Sequence, residues 1–252
     1  MKIDLKAPKN YSEMTIKQTR YVATLQLAGL PQETIWAKCF FKFTGLKLID
    51  TTEDACIVKY GKHIVEVNPE EVNEFIQQLS WLTRKYIGIN PPANIGRLQP
   101  CQSMFENLKF ETYLEAENEI QAYLFTQKDT HLINLMALLY SSKYKHLQPL
   151  EKRVKRLSKC SATDKMVIFM WVLGVKEFFT NKFKLLFAAE PHEDGQAPQA
   201  PDMYEVMQNQ IRALTAGDIT KREAVLQSLT WDALEELNNK IRESKEMQKT
   251  NS

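Results

Sequence analysis

The sequence predicts a mainly α protein, a multi-helix orthogonal bundle with a small β-hairpin and a C-terminal short-helix subdomain, and three observations carry that prediction. Only 8 of 252 residues are glycine, too few for a fold built on many tight turns. Apolar residues recur every three or four positions along most of the chain, the period of a helix with one buried face. Within residues 163–189, an apolar run from Met166 to Val175 is followed by Phe178, Phe179, Phe183, Leu185, Leu186 and Phe187. That pattern describes a helix central in its first half and reaching a surface in its second. It is not expected to span a membrane, because Lys176, Glu177, Lys182 and Lys184 leave only about 10 uncharged residues where about 20 are required.

The elements follow in order. Thr15 can cap a first helix, with Gln18 answering three residues later, and Gly29 ends it. Tyr21, Val22, Leu25 and Ala28 share its inward face. Pro31 opens a second helix that Gly45 stops. The period then changes: residues 55–60 and 62–67 are β-branched runs around Gly61, a small hairpin. A two-stranded ribbon is marginal alone, so it must lean on helices or offer an edge to another chain. Asn68, Pro69, Glu70 and Glu71 form a strong helix start, and Val72, Phe75, Ile76, Leu79, Leu82 and Tyr86 continue a stripe for four turns. Residues 87–102, with Pro91, Pro92, Gly96 and Pro100, read as irregular. In the helix expected over 108–127, Phe110, Tyr113, Leu114, Ile120, Tyr123 and Leu124 face in, while Glu111, Glu115, Glu117 and Glu119 form an acidic outer face. Residues 131–140 make a nearly all-apolar helix, the expected core partner of 163–189.

Two segments flank this core. Between 143 and 165 the cations Lys143, Lys145, Lys152, Arg153, Lys155, Arg156, Lys159 and Lys165 outnumber Glu151 and Asp164. Residues 189–201 are poor in apolar side chains and punctuated by proline, as a linker is. The domain reading is therefore a main helical domain over 1–188, a linker over 189–201, and a small helical segment over 202–252. That segment should hold short helices at 203–217, 221–229 and 231–241, with fraying from Ser244. It carries one tryptophan and too little core to fold alone with safety, so it docks on the main domain or on a partner.

Composition sets the function classes. The net charge of +2 supplies no global field for nucleic acid. Cys39, Cys56, Cys101 and Cys160 form no Cys-x-x-Cys pair and His63, His131, His146 and His192 are scattered, so no metal site and no cofactor are expected. Dispersed thiols with apolar neighbours read as reduced core residues of an intracellular protein, and the charged first residues are not a signal peptide. Phosphate loops, dinucleotide fingerprints, His-Glu-x-x-His and nucleophile elbows are absent from the sequence. Pairs such as Glu117 with His131 or Asp164 with His146 could meet in space, but any helical protein offers such pairs, and no catalytic residue is assigned. Trp36, Trp81, Trp171 and Trp231 each sit in an apolar stripe and are read as core.

Three stretches carry a resemblance: Ala7-Pro8-Lys9-Asn10-Tyr11-Ser12-Glu13-Met14-Thr15-Ile16-Lys17-Gln18, Leu135-Met136-Ala137-Leu138-Leu139-Tyr140 after an acidic, aromatic helix, and Leu229-Thr230-Trp231-Asp232-Ala233-Leu234 in the tail. They resemble small proteins encoded among the structural genes of tailed phages and prophages, the tail-assembly proteins. These include chaperones that hold the long helical tape-measure protein until the tube polymerises. The resemblance implies a non-enzymatic assembly or chaperone-like protein in the host cytoplasm or virion-associated, whose partner is a tape-measure or tail-tube protein. For such helix-in-groove contacts the candidate partner-binding residues are Met203, Met207, Ile211, Leu214 and Trp231. They can equally pack back on the core. The alternative is a nucleic-acid-binding accessory protein using Lys152, Arg153, Lys155, Arg156 and Lys159 as phosphate contacts.

Overall fold

The computed structural model describes residues 6–52, 54–83, 88, 90–142, 149–188 and 202–250, and the fold is mainly α, with 65% of the described residues helical, as the periodicity predicts. The linker expected at 189–201, the expected helix residue Tyr86, and Lys143, Lys145, His146 and His192 lie outside the described residues. Two compact units emerge: residues 1–88 with 161–173, and residues 89–160 with 174–252.

The first unit begins with α1 (Ile16–Leu27). Its capping box forms as the sequence requires, Thr15 accepting from the Gln18 amide while Gln18 accepts from the Thr15 amide at 2.8 Å. α2 (Gln32–Thr44) starts just after Pro31 and stops at Gly45, whose φ of 75° is the left-handed conformation that glycine adopts without penalty. The ribbon is larger than a hairpin. β1 (Lys47–Thr51) pairs antiparallel with β2 (Cys56–Tyr60), which pairs with β3 (His63–Val67). The sequence reading missed β1 because Lys47 and Asp50 interrupt its apolar alternation, and all five of its residues are exposed. Val58, opposite both Leu48 and Val65, turns inward with Cys56 to meet Val22, Phe40 and Leu82 in the core.

α3 (Pro69–Gln77) starts on the Asn68 cap but runs only nine residues, not the expected four turns. A tighter turn over Ser80–Thr83 follows, closed by Leu82 N–H donating to the Leu79 carbonyl at 2.9 Å. The shorter period still delivers Leu79 and Leu82 to the core, while Phe75, stacked on Phe40 with ring centroids 6.2 Å apart, stays partly exposed. The first half of α7 (Ala162–Lys182) completes this unit. Ser161 accepts from the Asp164 amide, Arg20 pairs with Asp164 at 2.8 Å, and Ala23 packs with Val167 and Met170.

The second unit holds α4 (Phe110–Thr126), α5 (Asp129–Leu139), α6 (Leu150–Leu157), the second half of α7, α8 (Met203–Thr215), α9 (Arg222–Gln227) and α10 (Thr230–Thr250). Part of the stretch expected to be irregular is a strand: β4 (Leu98–Pro100) pairs with β5 (Tyr140–Ser142), directly after α5. Proline at the end of a short edge strand is tolerated there because it costs no interior ladder bond. Phe105, Tyr113, Phe179, Phe183 and Trp231 interlock mostly edge to face, with ring centroids 5.6 to 6.1 Å apart.

Two assignments on α4 are corrected. Glu117, expected on the acidic outer face, is buried and pairs with Lys176 of α7. Leu124, expected inside, is exposed, as is Phe125 beside it. α4 is covered on more than one side, so its buried arc is wider than a single stripe and ends before the last turn. α10 also departs from expectation: it continues to Thr250, with residues 242–249 exposed.

Candidate functional site

The C-terminal helices are the candidate site. Asp202 caps α8 by accepting from the Tyr204 and Glu205 amides. Ala216 in the left-handed conformation and Gly217 end it. The chain then turns through Asp218, whose carboxyl is held below its ordinary value mainly by the Thr220 hydroxyl and amide. α9 leads into a short antiparallel pairing of Leu229 with Lys109. There Phe110 N–H donates to the Ser228 carbonyl, and both the amide and hydroxyl of buried Thr230 donate to the Leu108 carbonyl, each at 2.9 Å.

These bonds place the proposed partner-binding residues. Trp231 lies half-buried in the aromatic cluster and donates its indole N–H to the Met104 carbonyl at 2.8 Å. Met104 and Phe105 both take positive φ, 55° and 58°, at that turn. Ile211 is buried within the second unit. Ile211 and Trp231 therefore pack inside the second unit, the other of the two placements the sequence left open. Met203, Met207 and Leu214 share the Ile211 stripe and are half-buried. The tail docks on its own chain, and the physical reason is a pair of backbone-satisfied junctions plus the burial of Ala233, Leu234 and Leu237. Asn238 adds to it by accepting from the Leu185 and Leu186 amides.

The next face of α8 is the open one. Val206 and Ala213 line a groove of about 550 Å³ whose other wall is α10, with Leu237 and Ile241. The groove floor is mostly apolar, and among the described residues lining it the charged ones are Lys240 and Lys245. Lys240 also pairs with Glu236 at 3.3 Å. Val206 and Ala213 are seven residues apart, as two turns of one helix stripe require, and Leu237 and Ile241 are four apart. In the sequence this second stripe is less apolar than the Met203, Met207 and Ile211 set, which is why periodicity alone does not single it out.

The basic segment divides. Lys152, Lys155, Arg156 and Lys159 are exposed, while Arg153 turns inward, its Nη1 donating to the carbonyls of Ala137 and Tyr140. Arg153 is thus a cap for the C-terminal end of α5 rather than a free phosphate contact, and burial lowers its pKa. Lys165 is buried as well.

Other polar pairs hold the helices. His131, whose pairing with Glu117 the sequence left possible, meets Glu119 at 2.7 Å, and Asn134 donates to the same carboxylate at 3.1 Å, tying α5 to α4. Asp164 is taken by Arg20 and Ser161. Burial pushes the Cys39 thiol up to about 12, which leaves it protonated and unreactive at neutral pH. Among the described residues no group of three or more His, Cys, Asp or Glu is placed to hold a metal ion, and no helix is long and apolar enough to cross a membrane. No family model, curated protein or solved structure matches the chain.

Proposed function

We propose that this protein is a non-enzymatic assembly or chaperone-like protein of phage origin that binds a partner protein, a tape-measure or tail-tube component, in the host cytoplasm. The single observation that carries the reading is the open groove between α8 and α10. A concave apolar strip between two helices accepts the apolar face of a third helix, which is how amphipathic segments are held by proteins of this kind of architecture. Lys240 and Lys245 at its walls favour a partner helix with acidic flanks. The phage origin is supported by the resemblance of the stretches at 7–18, 135–140 and 229–234.

The test uses the groove, because deleting the tail would strip Leu234 and Leu237 from the core. The chain is coexpressed with the products of the genes adjacent to its own and recovered by affinity. Val206→Glu and Ala213→Glu should each lower partner recovery at least about tenfold, a loss of roughly 1.4 kcal/mol or more, while circular dichroism stays unchanged. Undiminished recovery removes the groove reading.

The nucleic-acid alternative keeps a specific observation, the four exposed cations Lys152, Lys155, Arg156 and Lys159. It requires binding to DNA or RNA that weakens steeply with added salt.

A further inference from the structure

The three-stranded sheet of the first unit has two edge strands, and they differ. β1 carries Lys47 and Asp50 and breaks its register with β2 between Leu48 and Asp50. Charges and a bulge are the devices that keep an edge strand from pairing further. β3 has neither a break nor a lysine: its five residues, His63 to Val67, stay in register with β2 throughout, and Ile64, Val65 and Val67 are β-branched. Among the described residues no strand adds to its outer side and no backbone group bonds there. Every second residue of such an edge points its N–H and C=O away from the sheet, a template for one more strand.

Burial settles the two faces of β3. Val65 and Val67 pack on the core beside Val58, whereas Ile64 and Glu66 face out, Ile64 with 67% of its surface exposed. On that outward face Ile64 sits opposite Lys59 of β2, and Glu66 sits opposite Ile57. No ion pair among the described residues engages Lys59 or Glu66.

The strand is complementary to itself. A two-fold axis perpendicular to the sheet pairs β3 antiparallel with a second β3 and keeps the core-facing residues of both copies on one side. Only registers that match residues of the same face satisfy it, and the one that uses all five residues is centred on Val65. It sets Val65 opposite Val65, His63 opposite Val67, and Ile64 opposite Glu66 of the second copy. Each outward row then reads Lys59, Ile64, Glu66, with the glutamate supplied by the second copy. Lys59 and that Glu66 stand two strand spacings apart, about 10 Å, within the combined reach of the two side chains. The lysine stem lies over Ile64 on the way, and the axis makes the contact twice.

We propose that β3 is a homodimerisation strand: two copies of this chain join their sheets through β3–β3 pairing centred on Val65, with Glu66 of each copy beside Ile64 and Lys59 of the other. The self-complementary charges select a second copy over a foreign strand. The interface is small, so the dimer dissociates with a Kd on the order of 10 µM.

The test is sedimentation equilibrium of the full chain from about 1 to 200 µM, at low salt, where surface charge pairs are least screened. Reversible monomer–dimer association is the expected result. Substitutions at the exposed Ile64 read the register, with circular dichroism confirming an unchanged fold. Ile64→Glu sets two carboxylates opposite each other in both symmetry-related rows and should weaken the dimer at least about tenfold. Ile64→Lys places an ammonium opposite the same Glu66 and should leave Kd within about threefold of the parent. Adding Glu66→Lys to Ile64→Glu restores opposite charges and should recover most of the loss. A chain that stays monomeric across the range, as it would if the edge served a foreign strand, overturns the proposal. So does a dimer whose Kd Ile64→Glu and Ile64→Lys change equally or not at all, the signature of contact elsewhere or of a general apolar patch.

Discussion

Cys39 shows how one residue couples local burial to the behaviour of the chain. It is fully buried in the first unit, and its thiol pKa rises from 9.0 to about 12 because burial penalises the thiolate. The unfolded chain therefore releases this proton before the folded one does. Its contribution to stability is complete below pH about 9 and is lost as pH rises toward about 12. Urea unfolding at a series of pH values should show stability falling through that window, and Cys39→Ala should flatten the fall while lowering stability at neutral pH. Equal slopes for the two proteins would remove Cys39 as the source. The pair of buried Glu117 and half-buried Lys176 makes the same point about pairing: the Glu117 carboxylate is tolerated in the interior because the ammonium is beside it.

At the scale of elements, α10 carries the sharpest consequence. Its first three turns bury Ala233, Leu234 and Leu237, while residues 242–249 are exposed yet supply Ser244, Lys245 and Gln248 to the groove wall. Stopping the chain after Ile241 should leave the thermal midpoint within a few degrees of the full chain and abolish partner recovery. Stopping it before Thr230 should unfold the second unit, since the bonds to Leu108 and Met104 and the aromatic contacts of Trp231 all go with it. Calorimetry distinguishes the two truncations.

The elements also show what the sequence could and could not convey. The Thr15 capping box, the stop at Gly45, the Asn68 start and the core character of Trp171 were legible because each rests on local backbone chemistry or on a strong apolar period. β1 was not legible, since every one of its residues is exposed and only pairing with β2 orders it. β4 and β5 lie about forty residues apart, so no local signal announced their pairing. The site was half legible: α8 was placed correctly as an amphipathic helix, but its more apolar stripe, through Ile211, belongs to the core, and the weaker stripe through Val206 and Ala213 lines the groove. Arg153 looked like its lysine neighbours in sequence and differs from them only because α5 ends within its reach.

At the scale of the whole molecule, the chain leaves the first unit after residue 88, returns for 161–173 and ends in the second. α7 contributes its first half to one unit and its second half to the other, so the apolar run from Met166 to Val175 serves two cores and was never free to be a functional surface. The groove belongs to the second unit. On the proposed function, partner protein binds in the groove between α8 and α10. Hydrogen–deuterium exchange of the full chain, alone and with its recovered partner, tests it most directly. New protection confined to residues 206–213 and 237–248 is the predicted result; protection over α6 or the β1–β3 sheet, with those two segments unchanged, would contradict it.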